Sequence, residues 1–137
     1  MGNLRYQSDA IDWHSLNVGT NSFGDIDGLL EKNGRFLVLE AKHVDERGMS
    51  DGQDKTLRSL SLVPFITVVA IYYQGDKSNP EFIEWQQAKD GRWLSLNQTT
   101  NEQFKRRVSE WLAKAQEGDD NGYSAKFRPK DRDESLV

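Results

Sequence analysis

Three residues in the first third of the chain have the types and spacing needed for metal-assisted chemistry on a phosphate. Glu40 follows Asp27 by thirteen positions, and Lys42 stands two positions after Glu40. Carboxylate oxygens are ligands that Mg²⁺ prefers, and a neighbouring ammonium group can orient an attacking water and offset charge on a phosphoryl transition state. If the fold brings the three side chains together, they form a set suited to phosphodiester hydrolysis.

A β-hairpin is predicted to bring them together. Residues 23–31 and 35–42 both have the composition of strands. The Asn-Gly pair at 33–34 lies between them, and Asn-Gly flanked by apolar residues is the strongest short-range signal for a two-residue hairpin turn. Such a turn fixes the register and places Asp27 directly opposite Glu40.

Side-chain alternation then sorts the hairpin residues onto two faces. One face receives Asp25, Asp27, Glu40 and Lys42. The other face receives Ile26, Leu30, Leu37, Leu39 and Ala41. We therefore expect a charged cluster on one side of the sheet and an apolar surface on the other.

The charged face poses an electrostatic problem. Opposed Cβ atoms lie about 4.5 to 5.5 Å apart, so Asp27 and Glu40 repel each other unless a proton or a cation lies between them. Mg²⁺, with Mn²⁺ as a substitute, suits such a pair, and the backbone carbonyl of Ala41 can add a further oxygen. The residues alone leave an alternative open, in which Asp25 and Lys42 form an ordinary cross-strand ion pair and Asp27 is solvated.

The segments after the hairpin predict a parallel crossover. Residues 50–62 have the pattern of a helix that is capped by Ser50 or Asp51 and ends before Pro64. Residues 65–73 form a continuous β-branched and aromatic run, which is typical of a strand buried on both faces. A strand, a helix and a buried strand in this order indicate a βαβ unit with a parallel strand pair.

Two further elements are predicted at either side of this unit. Apolar residues at helical spacing over 5–17 predict a short amphipathic helix near the start of the chain. Residues 82–87 and 92–97 predict a second hairpin, with the Asp-Gly pair at 90–91 in its turn.

The last predicted element is a helix that starts at a capping box formed by Thr99 and Glu102. Its apolar face comprises Phe104, Val108, Trp111, Leu112 and Ala115. Residues 117–137 are dense in charge and poor in aliphatic side chains, so we expect a flexible tail there. The prediction is one domain over 1–116 of the α/β class, in which an antiparallel hairpin and a parallel βαβ crossover form a mixed central sheet flanked by helices.

Composition limits the classes of function. The formal net charge of −4 argues mildly against a broad electrostatic grip on nucleic acid, although carboxylates around a divalent cation are neutralised when the cation is bound. The chain has no cysteine, which excludes disulfides and thiolate metal sites. No apolar run approaches the length of a membrane span, and the start MGNLRYQSDA lacks the pattern of a secretory signal, so we expect a cytoplasmic protein with no membrane partner.

The combination of Asp27 with Glu40-Ala41-Lys42 resembles the PD-(D/E)XK nuclease superfamily. It is most similar to the RecB-like and Holliday junction resolvase-like branches, in which the first acidic residue ends a Gly-x-x-Asp pattern, as in the segment 24–27. The resemblance covers about residues 23–73 and implies a restriction-endonuclease-like core, a Mg²⁺-dependent activity and a DNA substrate.

The resemblance also implies roles for single residues. Asp27 and Glu40 match the metal-binding acids, and Lys42 matches the motif lysine. Gln53 matches a glutamine on the helix after the strand that ends in Glu-x-Lys. Many members carry a Glu on the first helix, but no Glu precedes Glu31 in this chain. Asp9 or Asp12 must then serve as a metal ligand, or the position is absent, and we favour Asp12 because it adjoins the apolar Ile11 and Trp13.

Other polar residues have weaker signals. His14 and His43 are single histidines, which are more often structural than catalytic, although His43 stands beside Lys42 and can reach a substrate phosphate. The basic run 105–107 is usually a solvated helix face, with a phosphate contact as the alternative.

We therefore expect a divalent-metal-dependent deoxyribonuclease that cleaves branched DNA or DNA ends, of a size that suits a bacteriophage or mobile element. Its partners are expected to be DNA and either a second copy of the chain or a DNA-processing protein. The first alternative is a catalytically inactive restriction-fold module for DNA binding or protein assembly, and the second is an acidic interaction domain unrelated to nucleic acid. The sequence does not decide between endonuclease and exonuclease action, between single-stranded and double-stranded substrates, or between RNA and DNA.

Overall fold

A computed structural model describes residues 25–117 of the chain together with residues 15, 18 and 19. The predicted helix over 5–17, apart from Ser15, lies outside the described residues, as does the predicted tail from 118 onward. Glu117 is described and closes the last helix, so the predicted start of the tail at 117 is wrong by one residue.

The described chain is an α/β protein with a mixed six-stranded sheet flanked by two helices. The strands are β1 (Gly28–Lys32), β2 (Arg35–His43), β3 (Ile66–Gln74), β4 (Glu81–Lys89), β5 (Arg92–Trp93) and β6 (Asn97–Gln98). The helices are α1 (Asp51–Leu60) and α2 (Asn101–Glu117), and a short 3-10 helix spans Val44–Glu46. The strand order is β1-β2-β3-β4-β5, with β6 also paired to β4. The predicted class is thus confirmed at the level of an α/β protein with a mixed sheet.

The first hairpin has the predicted turn and register. Asn33 and Gly34 both have positive φ, at 59° and 81°, as the favoured two-residue turn requires. Lys32 pairs with Arg35, and the ladder continues to its last pair, Gly28 with Leu39. The predicted strand start at 23 is wrong for the described residues, because β1 begins only at Gly28 and residues 25–27 precede the ladder.

The predicted parallel crossover is confirmed. β2 and β3 are parallel, and seven consecutive residues of β3 are buried, so both of its faces are covered. The side chain of Ser50 caps α1 by accepting a hydrogen bond from the backbone N–H of Gln53 at 3.1 Å. α1 ends at Leu60, two residues earlier than predicted, with Ser61 as its C-cap.

The sheet is covered on both faces, which corrects the expected division into one charged and one apolar face. α2 packs on one face through a core that comprises Leu37, Val69, Ile71, Trp85, Phe104, Trp111 and Ala115. α1 packs on the other face through Val38, Leu57, Val68 and Ala88. Glu40 is on the same side of β2 as Val38, because both are even-numbered residues of one strand. The charged residues therefore occupy only the end of an otherwise apolar face.

The second hairpin has the predicted turn, but its second strand ends at Trp93 and not at 97, and the cap of the last helix is shifted by one residue. Asp90 and Gly91 form the second turn with positive φ, at 53° and 81°. Thr100, and not Thr99, caps α2 by accepting from the backbone N–H of Gln103 at 3.1 Å. The cap is displaced because the N–H of Thr99 donates to the carbonyl of Ile83 at 2.9 Å, which keeps Thr99 attached to the sheet edge.

Within the described residues, no helix is both long enough and apolar enough to cross a membrane.

Candidate active site

Glu40 is the most deeply buried carboxylate of the predicted set. It lies in the second half of β2, on the face that α1 covers, and only 5% of the residue is exposed. Its Oε2 accepts a hydrogen bond from the Gln53 side-chain amide, with Nε2 2.5 Å away. Gln53 is held in the first turn of α1 by the Ser50 cap, so the helix start positions the amide over the carboxylate.

Asp27 approaches Glu40 from the segment that precedes β1. Asp27 is exposed, and its Oδ2 accepts a hydrogen bond from the backbone N–H of Ala41 at 2.9 Å. The Asp27 carboxyl lies near enough to Glu40 for its charge to raise the pKa of the Glu40 carboxyl. The two acids therefore meet as the sequence predicts, but Asp27 reaches the end of the ladder as a bend residue and not as a strand residue.

The environment of Glu40 disfavours its charged form. Burial raises the pKa of the Glu40 carboxyl above its ordinary value of 4.5, and the neighbouring charge of Asp27 raises it further. The ammonium of Lys42 and the hydrogen bond from Gln53 act in the opposite direction, but the balance remains a raised pKa. A divalent cation between the two acids would favour the ionised form of Glu40, because it adds positive charge beside the carboxyl.

Lys42 belongs to the same cluster. Its Nζ lies 3.7 Å from Glu40 Oε2, and a fifth of the side chain is exposed. The ion pair of Lys42 with Asp25, which the sequence left open, is not a cross-strand pair, because β1 begins at Gly28 and Lys42 lies beyond the end of the β1–β2 ladder. Asp25 is exposed.

A third oxygen can come from the backbone of Ala41. The N–H and C=O of a strand residue point to the same edge of the strand. Since the N–H of Ala41 bonds Asp27, its carbonyl also points toward the edge where the two acids meet. In the part of the chain that the structure describes, no group of three or more His, Asp or Glu side chains converges to hold a metal, so a backbone ligand would matter here. Asp9 and Asp12 lie outside the described residues.

The acids and Lys42 open onto a cleft of about 680 Å³. Its described lining extends from Asp27, Glu40 and Lys42 to His43, Lys77 and Phe82. Lys77 belongs to the turn between β3 and β4. Neither Lys77 nor Phe82 could be predicted as a site residue from the sequence, because their place at the site depends on how β3 and β4 pair and no local pattern encodes it.

The remaining predicted residues lie at other places. His43 is on the side of β2 opposite to Glu40, yet it lines the same cleft at the end of the strand. Arg107 lies on α2, with its guanidinium carbon 5.5 Å from the centre of the Trp85 ring, and Lys105 and Arg106 are exposed on the same helix. The basic run 105–107 is thus separate from the acids. His14 is outside the described residues.

A scan against protein-family models, a search of curated proteins and a search of solved structures each returned no match for this chain.

Proposed function

We propose that the protein is a divalent-metal-dependent nuclease that hydrolyses phosphodiester bonds of DNA. One observation carries the proposal: the buried carboxyl of Glu40, whose pKa is raised by burial and by the neighbouring Asp27, lies at a strand end beside the ammonium group of Lys42. Two adjacent acids with a neighbouring lysine suit a cation that binds phosphate, whereas a purely structural sheet face gains nothing from them.

The chain's own residues divide the work. Asp27, Glu40 and the carbonyl of Ala41 would hold Mg²⁺, or Mn²⁺ as a substitute. The cation would supply Lewis-acid stabilisation of charge on the phosphate. Lys42 donates hydrogen bonds from its ammonium group, which can orient the attacking water and offset charge on the transition state. Gln53 positions Glu40 through its 2.5 Å hydrogen bond and so fixes the direction of the carboxylate.

We further propose that this sheet is a restriction-endonuclease-like core. The order of a hairpin that carries Asp and Glu-x-Lys, a crossover helix that carries Gln53, and a buried parallel strand supports this assignment. The order of elements and the position of Gln53 match the PD-(D/E)XK resemblance, in which the same three elements form the core.

A cleavage assay tests the function. The purified protein is incubated with four-way junction, linear duplex and single-stranded DNA, with Mg²⁺, with Mn²⁺ or with a chelator. We expect cleavage of at least one substrate with either metal and none with the chelator. Replacing Lys42 by Ala or Glu40 by Gln should lower the rate by about a hundredfold or more, as removal of a preorganised electrostatic group usually does.

Lys114→Ala serves as the matched control, because Lys114 is an exposed lysine near the end of α2. This end of α2 contacts Arg35 at the start of β2, whereas the acids lie at the other end of that strand. It should cleave like the unaltered protein. Activity that persists in chelator or in Lys42→Ala would contradict the proposal. DNA binding without cleavage under every condition would instead favour the inactive restriction-fold module.

A further inference from the structure

We propose that the cleft beside the two acids binds an unpaired DNA strand and that Lys77 and His43 hold a phosphate of this strand next to the one that is cleaved. This inference rests on the proposed nuclease function and names the substrate class within it. The nuclease would then act on single-stranded ends or flaps.

The cleft exists because the two strands of the first hairpin differ in length. The β1–β2 ladder ends at the pair of Gly28 with Leu39, but β2 continues to His43. The last residues of β2 pair with β3 on one edge, and among the described residues their other edge, on the side of β1, borders the cleft. A substrate strand that has its scissile phosphate at Asp27 and Glu40 can pass along this edge toward the β3–β4 turn.

His43 presents one ring nitrogen there. Its Nδ1 is occupied by Asp45, whose backbone N–H lies 3.1 Å away and whose Oδ2 lies 3.5 Å away. The ring also packs edge-on against Tyr73, with ring centres 5.3 Å apart and planes at 84°. The ring position is thus fixed, and Nε2 is the ring nitrogen left for a phosphate oxygen.

Lys77 supplies a charge that no described group neutralises. It is exposed in the turn between β3 and β4 and lines the cleft. Among residues 25–117 it forms no ion pair, whereas Lys42 is paired with Glu40. A lysine in this state suits a phosphate, to which its ammonium can donate without giving up another partner.

The charge of the cleft becomes favourable for DNA when a cation binds. Its charged lining consists of the acids Asp27, Glu40 and Glu46 and the bases Lys42 and Lys77. The metal-free cleft therefore carries one net negative charge, and a bound divalent cation converts this to one net positive charge. Attraction for phosphate would thus arise together with the metal site.

The size and the walls of the cleft favour one strand over a duplex. Its volume of about 680 Å³ is in the range of pockets that enclose single small molecules, roughly 300 to 1,000 Å³, which corresponds to a nucleotide or two. The half-buried ring of Phe82 forms part of the lining. An aromatic ring beside lysine side chains is a feature on which an unpaired base can stack, whereas the bases of a duplex are already stacked on each other.

The test measures binding and cleavage separately. Binding of a fluorescein-labelled single-stranded oligonucleotide and of its blunt duplex, both made with cleavage-resistant phosphorothioate linkages, is followed by fluorescence anisotropy in a fixed concentration of Mg²⁺ over a series of NaCl concentrations. We expect tighter binding of the single strand. Lys77→Ala should weaken it about threefold to tenfold and lower the slope of log affinity against log salt by about 0.7, the loss of one single-strand phosphate contact. Lys77→Arg should restore both values.

Lys114→Ala is the control for loss of a positive charge and should leave the slope unchanged. An unchanged slope in Lys77→Ala, or equal binding of the duplex, would overturn the inference. The failure of the nuclease proposal is a different result, namely the absence of metal-dependent cleavage of every DNA. With Mg²⁺, a flap or single-stranded end should be cut faster than blunt duplex, and the reverse order would also overturn the inference.

Discussion

Gln53 is the residue whose role can be separated most cleanly from folding. Its amide donates to Glu40 at 2.5 Å, and this hydrogen bond lowers the pKa of Glu40 against the larger effects of burial and of Asp27. Removing the amide should therefore raise that pKa further. Metal binding requires the ionised carboxylate, so affinity for Mg²⁺ rises as the pH rises through the pKa of Glu40.

We predict that Gln53→Ala shifts the pH dependence of Mg²⁺ affinity toward higher pH. At a pH below the shifted pKa of Glu40, the variant should bind Mg²⁺ about tenfold or more weakly, as loss of a group that orients a metal ligand usually causes. Isothermal titration calorimetry at several pH values measures both effects. Gln116→Ala, which removes an exposed glutamine of α2, is the matched control. A uniform loss of affinity with no shift along the pH axis would show that Gln53 does not act through the ionisation of Glu40.

The residues of the site differ in how far they follow from the sequence. Asp27, Glu40 and Lys42 meet because a local Asn-Gly turn sets the register, and a turn of this kind can be recognised from neighbouring residues. Gln53 was found through a family resemblance. Lys77 reaches the cleft through the pairing of β3 with β4, which is a long-range arrangement that no short pattern reports.

At the scale of elements, the first turn is the feature on which the site depends. Gly34 has a φ of 81° and is buried, and its N–H donates to Glu31 Oε2 at 2.8 Å. The side chain of Asn33 donates to the carbonyl of Ala115, which ties the turn to the end of α2. A residue with a Cβ at 34 strains this backbone conformation.

We predict that Gly34→Ala lowers the free energy of unfolding by about 1 to 2 kcal/mol, because the Cβ of alanine is strained in the left-handed backbone conformation. Gly52→Ala is the contrasting change, since Gly52 lies in α1 with open space around it and no positive φ. It should stabilise the protein by up to about 1 kcal/mol through helix propensity. Urea denaturation measures both variants, and a stabilising Gly34→Ala would contradict the structure of the turn.

The limits of the elements show where the sequence signal weakens. The β1–β2 ladder, the two helices and both turns follow from patterns within a few residues. The start of β1 at Gly28 and the move of the α2 cap to Thr100 do not, because contacts with distant residues decide them. Asp27 uses its side chain to bond Ala41, and Thr99 donates its N–H to Ile83. Side-chain and backbone bonds of this kind replace the local preferences at the ends of elements.

On the scale of the whole molecule, the burial of Glu40 beside Asp27 opposes folding in the absence of a cation. A carboxyl whose pKa is higher in the folded than in the unfolded protein holds its proton more tightly when folded, so the free energy of unfolding falls as the pH rises between those two pKa values. For Glu40 this window begins near the ordinary value of 4.5 and extends upward to its raised pKa. The two helices that cover the sheet must supply the stability that this burial opposes.

A cation that binds the folded protein reverses this effect, since it stabilises the folded state by mass action and favours the ionised acids. We predict that Mg²⁺ at about a hundred times its dissociation constant raises the free energy of unfolding by about 2.7 kcal/mol at neutral pH, and that this gain vanishes at a pH below the pKa of Glu40. Thermal denaturation with Mg²⁺ or chelator across this pH range measures the gain. Glu40→Gln should abolish both the response to Mg²⁺ and the fall in metal-free stability through the Glu40 window, because the variant has no charge to bury at that position. A Mg²⁺ response that survives in Glu40→Gln, or a gain that is as large below the pKa of Glu40 as above it, would place the cation elsewhere in the molecule.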